Sequence, residues 1–141
     1  MTEENRTTIH VERLAGKRYA ATNSGRDRLL VDATSPEEGV SVGMRPMEAL
    51  LASLGACSAL DVMEVLEKRR TPPDFYRVEL VGERAEEHPR RYMRITVKHI
   101  VKGGGVEDKH LQRAVKLSHE KYCSVHASLN AEIEFEAVLE G

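Results

Sequence analysis

Apolar and polar positions alternate over residues 7–13, with Ile9 and Val11 set between polar neighbours, and this predicts a strand. Gly16 punctuates, residues 18–23 predict a second strand, and Ser24 to Asp27 read as a turn before a third short strand over residues 28–32. The opening is therefore expected to be a β-meander. Residues 33–45 are rich in Gly, Pro and Ser and predict a loop.

The pattern then changes period. Pro46 suits the first position of a helix, where its missing N–H costs nothing. From there to Arg70, Met47, Leu50, Leu51, Leu54, Ala56, Leu60, Val62, Met63, Val65 and Leu66 cover much of a helical circumference. Apolar residues on so many sides predict a helix buried in the middle of the molecule. Lys68, Arg69 and Arg70 suit its C-terminal dipole, and Pro72-Pro73 stops it. Residues 75–83 and 91–101 alternate and predict a hairpin turning at His88-Pro89. After Gly103-Gly104-Gly105, residues 107–121 predict a second helix with Leu111, Ala114, Val115 and Leu117 on one face. Residues 124–130 read as a short turn or helix, and residues 131–139 as a closing strand. A meander, a helix, a hairpin, a helix and a strand make an α+β domain.

Length allows one ordinary domain over residues 1–141. Lys plus Arg is 21 and Asp plus Glu is 23, a net charge of -2, which argues against a general nucleic-acid binder. The opening MTEENRTT lacks the apolar stretch of a signal peptide. The run from Ala49 to Leu60 is too short to span a bilayer. No membrane association is expected, and the compartment expected is the cytoplasm. There the two cysteines, Cys57 and Cys123, are either inert core residues or working thiols.

Three motifs invite chemistry. The glycine triplet resembles a phosphate loop, but it lacks the Lys-Ser/Thr ending and meets Glu107 and Asp108, so a flexible loop is expected. His119, Cys123 and His126 are spaced to share a helix face, as a soft-metal site would need. No fourth ligand is apparent and His119 is read on the polar side of its helix, so no metal is expected. Cys57 lies among Gly55, Ala56, Ser58 and Ala59, small residues that would leave open space around its thiol.

Taken together, GMRPMEALLASLGACSALDVMEVLEKRR and the later HEKYCSVHASLNAEIEF resemble the OsmC/Ohr family of osmotically inducible and organic-hydroperoxide-resistance proteins. The closer likeness is to the OsmC-like branch, whose helix reads P-M-E-L-L-L-A-x-L-G-x-C-x-A-x-D-V. The resemblance covers essentially the whole chain. It implies an α+β fold that intertwines as a homodimer, with no cofactor. It also implies Cys57 as the peroxidatic thiol and Cys123 as the resolving one, with an organic hydroperoxide as substrate and an external dithiol as reductant. The family's peroxidases supply an Arg from the N-terminal hairpin to the reactive thiol. Arg18 is the residue matched here, with its neighbour Lys17 the alternative.

Two features depart from the organic-hydroperoxide subgroup. Its Glu directly follows the helix-opening Pro, whereas Met47 stands there in this chain and Glu48 comes one place later. On a regular helix Glu48 and Cys57 are separated by roughly 900°, which puts them on opposite faces. Asp61 falls on the face of Cys57, where an unpaired carboxylate would oppose thiolate formation. A second reading is a non-catalytic dimer of the same fold that binds an apolar small molecule at its interface. A third is a Cys–His hydrolase using Cys57 and His126, for which no orienting group can be named.

Overall fold

A computed structural model describes residues 3–141; Met1 and Thr2, the start of the polar opening, lie outside the described residues. The chain divides into two compact units, residues 1–50 and 51–141.

In the first unit β1 (His10–Ala15), β2 (Arg18–Thr22) and β3 (Arg28–Asp32) form the expected antiparallel meander, in the order β1-β2-β3. Its organising group is the buried carboxylate of Asp32 at the end of β3. Asp32 accepts from Arg18 Nε at 3.0 Å, from the backbone N–H of Thr34 at 2.8 Å and from that of Val42 at 3.0 Å. These bonds, with the Thr34 hydroxyl foremost, hold its carboxyl well below the usual carboxylate range despite its burial. The loop over residues 33–45 is thereby tied to the meander.

Helix α1 (Pro46–Lys68) begins in the first unit and continues through the second. The second unit adds β4 (Phe75–Arg84), β5 (Tyr92–Lys102), α2 (Asp108–Leu117), α3 (Ser124–Ala127) and β6 (Glu132–Glu140). The sheet order is β4-β5-β6; β4 and β5 are antiparallel, while β6 runs parallel to β5 after the helical crossover. Central strand β5 turns Ile95, Val97, His99 and Val101 inward. Val62 and Leu66 of α1, Leu111, Ala114 and Val115 of α2, and Val101 and Val106 form the core, with Phe135, Ala137 and Leu139 of β6 packed against it.

Helix α1 is not buried on all sides, contrary to the expectation from its composition. Leu54, Ser58, Val62 and Leu66, four residues apart, form one buried stripe with Gly55, whereas Leu60 on the outer side is 73% exposed. By length and composition alone this helix could cross a membrane, which the shorter run from Ala49 to Leu60 did not suggest. A core helix packed on a sheet has the same composition, and the buried stripe is that of such a helix.

The glycine triplet is a structured return, not a simple flexible loop. Gly103, Gly104 and Gly105 all adopt left-handed backbone with φ of 71°, 71° and 73°. A Cβ on Gly104 would lie 2.0 Å from the Pro72 carbonyl oxygen, so the turn closes against the segment leaving α1.

Candidate functional site

The second helical segment is not uniform. After α2 the chain makes a π-helical turn, Ser118–Tyr122, before extended Cys123 caps α3. The Cys123 thiol accepts from the backbone N–H of His126 at 3.5 Å. The wide turn and the abrupt cap set His119, Cys123 and His126 around one cleft of about 400 Å³, walled by Ile133 and Phe135 of β6. The His119 ring stacks on Phe135 at 4.7 Å between centroids.

His119 is therefore buried, not on the polar side of its helix. It is four residues beyond Val115, so helical spacing already places it at the edge of the buried stripe. Its Nδ1 lies 3.0 Å from His126 Nδ1, and its Nε2 lies 2.9 Å from His99 Nε2 and 3.0 Å from Ser58 Oγ. His99 Nδ1 continues to the Tyr76 hydroxyl at 2.7 Å. On the other side Ser58 Oγ lies 2.9 Å from Ser118 Oγ, and Ser118 donates to Asp61 Oδ2 at 2.8 Å. The result is a connected set of side chains beneath α1, running from a carboxylate to the cleft.

Burial keeps the imidazoles neutral. It lowers His99 to about 4 and His119 to about 3, the latter aided by repulsion from His99 and His126, and it lowers His126 as well. Both nitrogens of His119 meet other imidazoles, and among the described residues no group of three or more His, Cys, Asp or Glu is arranged to hold a metal ion.

Both cysteines are free thiols; Cys57 is half-buried and Cys123 buried. Cys57 is among the groups that act on the Cys123 thiol. Burial pushes the Cys123 thiol up to about 11, with the Cys57 and Asp61 charges adding to the effect and the His126 N–H opposing it. Asp61, the carboxylate expected on the face of Cys57, accepts from a serine hydroxyl, the neutral donor Ser118. The small residues around Cys57 have another use. A Cβ on Gly55 would lie 2.7 Å from Leu80 Cδ1, so glycine permits the approach of β4 to α1. Ala52, Gly55, Ala56 and Ala59 line an apolar groove of about 300 Å³ with Tyr76, Val78 and Leu80.

The other residues singled out from sequence lie in the first unit. Arg18 on β2 is engaged by Asp32 and donates from Nη2 to the Val40 carbonyl at 3.0 Å. Lys17 pairs with Glu38 at 2.8 Å. Glu48 accepts from the Arg45 backbone N–H at 2.9 Å, closing the first turn of α1 as a helix cap does.

Sequence reasoning missed Ser58, Tyr76, His99 and Ser118. Two of them carried a signal. Ser58 continues the four-residue spacing of Leu54 and Val62, and His99 continues the inward alternation of Ile95 and Val97, so both are polar residues at core positions. Such residues need buried partners, and each supplies one for the other.

The fold agrees with the comparisons. In solved structures, the chain is similar to a hypothetical protein from Aquifex aeolicus VF5, with 34% identity, a TM-score of 0.78, and coverage of 97% of this chain and 99% of that one. The fold is shared with the organic hydroperoxide resistance protein OhrB of Bacillus subtilis, at 16% identity and a TM-score of 0.60, covering 96% and 98% of the two chains. Among curated proteins it is 37% identical to Protein YhfA of Escherichia coli K12 over 115 residues, 82% of this chain and 83% of that one. The profile of the OsmC-like proteins matches residues 36–138, from the loop before α1 almost to the end of β6, and the chain belongs to that family.

Proposed function

We propose that this protein is a thiol-dependent reductase of organic hydroperoxides, working as a single OsmC-like domain in the cytoplasm and in a homodimer. The observation that carries the reading is the cysteine pair: two free thiols, a half-buried Cys57 that acts on the thiol of a buried Cys123. A Cys57 thiolate attacks one oxygen of the hydroperoxide and the O–O bond breaks. The alcohol leaves with a proton, and a sulfenic acid remains on Cys57. Cys123 then displaces the sulfenic oxygen as water and forms the disulfide, which an external dithiol reduces by exchange. In this reading Arg18 stabilises the thiolate and Glu48 is a supporting carboxylate at the helix start. The chain needs no cofactor for these steps. Kinship with a fold that includes organic hydroperoxide resistance proteins supports the assignment.

Intact mass spectrometry after one equivalent of cumene hydroperoxide tests it. Loss of two hydrogens in the wild type, and gain of one oxygen in Cys123→Ser, are expected. Unchanged masses with peroxide remaining would overturn the reading. The apolar groove beside Tyr76 favours the second reading, a dimer that holds an apolar small molecule without turning it over. In that case the groove binds ligand while both thiols stay reduced.

A further inference from the structure

The resolving step needs a proton acceptor. Cys123 is 3% exposed, and its thiol, held near 11 by burial, is almost wholly protonated at neutral pH. The hydrogen-bonded set beneath α1 supplies a candidate, because its direction follows from one end. An ionised carboxylate only accepts, so the Ser118 hydroxyl must donate to Asp61. Ser118 Oγ then accepts from the Ser58 hydroxyl. With its own hydrogen committed, Ser58 Oγ accepts from an imidazole. His119 Nε2 at 3.0 Å is the closer donor, against 3.3 Å for His99 Nε2.

A neutral imidazole has one N–H, so a His119 that donates from Nε2 must accept at Nδ1. Its partner there is His126 Nδ1, which accordingly carries the hydrogen. That leaves the lone pair of His126 on Nε2, in a residue lining the same cleft as Cys123. His99 fits this direction, accepting at Nε2 and donating from Nδ1 to the Tyr76 oxygen. The single His119 Nε2–H is then shared between Ser58 Oγ and His99 Nε2, and no imidazole is charged.

We propose that Asp61, acting through Ser118, Ser58 and His119, fixes the tautomer that makes His126 the proton acceptor for the Cys123 thiol. The proposal rests on the cysteine-pair chemistry above and assigns its second step. The Cys123 S–H proton passes to His126 Nε2, directly or through one water in the cleft, and the sulfur attacks Cys57 Sγ. The S–O bond of the sulfenic acid breaks with its electron pair on oxygen. That oxygen takes up a proton and leaves as water. His126 cannot keep the proton it accepts, because burial disfavours its charged form. A shift of one hydrogen along each link to Ser118 delivers a proton to Asp61, four residues beyond Cys57 on α1. His126 is thus a catalytic residue of the resolving step. Asp61, Ser118, Ser58 and His119 are positioning residues.

Diamide tests the step without any peroxide, since it forms an adduct on one thiol that the other must displace. Disulfide closure is followed by quenched-flow mass spectrometry between pH 5 and 9. The groups facing His126 are His119, Cys123 and, at the cleft rim, Glu120 and Lys121, while β6 presents uncharged Ile133 and Phe135. In His126→Gln, closure is expected to slow by about 10²-fold at pH 7, and to rise with hydroxide concentration as solvent becomes the acceptor. Nitrogen-15 spectra of the reduced wild type are expected to show hydrogen on Nδ1 of His126 and Nε2 of His119. In Ser118→Ala the hydrogen on His126 should redistribute to Nε2. His126→Gln closing at the wild-type rate, a wild-type His126 protonated on Nε2, or a wild type that never closes would each overturn the proposal. Prompt closure with diamide together with inertness to cumene hydroperoxide would instead leave the relay standing and remove the peroxidase reading.

Discussion

Ser58 shows how one hydroxyl can hold several buried groups at once. It is fully buried and lies within hydrogen-bond distance of His99 Nε2, His119 Nε2 and Ser118 Oγ. Ser58→Ala would remove the buried hydroxyl that links Ser118 to both imidazoles, leaving the two Nε2 atoms only each other, and this should destabilise the protein by about 1–3 kcal/mol. A fall in the urea midpoint at unchanged slope checks it. The imidazoles also set an acid limit. Their folded values, about 4 for His99 and about 3 for His119, lie below the ordinary 6.5, so the unfolded chain binds more protons than the folded one between them. Stability is therefore complete above pH 6.5 and is lost as pH falls from 6.5 toward 4. Melting temperature should drop across pH 6.5 to 5, above the ordinary carboxylate range, and the drop should shrink in His99→Gln. An unchanged slope in that variant would remove the assignment. The cysteines were legible because their surroundings form a motif. Ser58 and His99 left only the fainter trace of polar residues at core-spaced positions, and that each partners the other, 41 residues away, shows only in the fold.

At the scale of elements, period and punctuation located the strands and helices, and side-chain physics decided the remainder. The alternation over residues 91–101 marks β5, and Pro46 marks the start of α1. Composition misled on the burial of α1, since apolar residues all round a helix show what it can bury and not which side meets the sheet. Its small residues, Gly55 above all, mark the side facing Leu80. The π-helical turn was not legible either. One wider turn leaves no periodic trace over five residues, yet it ends in the cap that presents Cys123. The glycine triplet was visible, but its role as a left-handed return against Pro72 was not. Gly104→Ala would place a methyl carbon against the Pro72 carbonyl and force a left-handed alanine. A loss of about 1–3 kcal/mol is expected in a urea titration. The Gly105→Ala change, whose Cβ meets only the Thr71 methyl at 3.9 Å, should lose less.

For the whole molecule, the decisive observation is what the chain leaves uncovered. Leu60 is 73% exposed on α1, Val81 61% on β4, and Met93 48% on β5, although each lies in an element that also builds the core. A full leucine left in water forgoes about 1.5–3 kcal/mol available from burial, so several such residues favour a covered state. The homodimer implied by the family resemblance is the economical cover, because a second copy offers the same apolar residues in return. Light scattering on the eluting protein should then give twice the 15.8 kDa chain mass. Leu60→Glu puts a charge on the outer side of α1, away from the buried stripe through Leu54, Ser58, Val62 and Leu66. It should shift the population toward monomer while leaving the circular dichroism of each chain unchanged. A wild type that elutes at 15.8 kDa across the micromolar range would exclude the dimer. A variant that stays dimeric would move the interface off this side of the helix and onto the sheet residues Val81 and Met93, where the same substitution can be repeated.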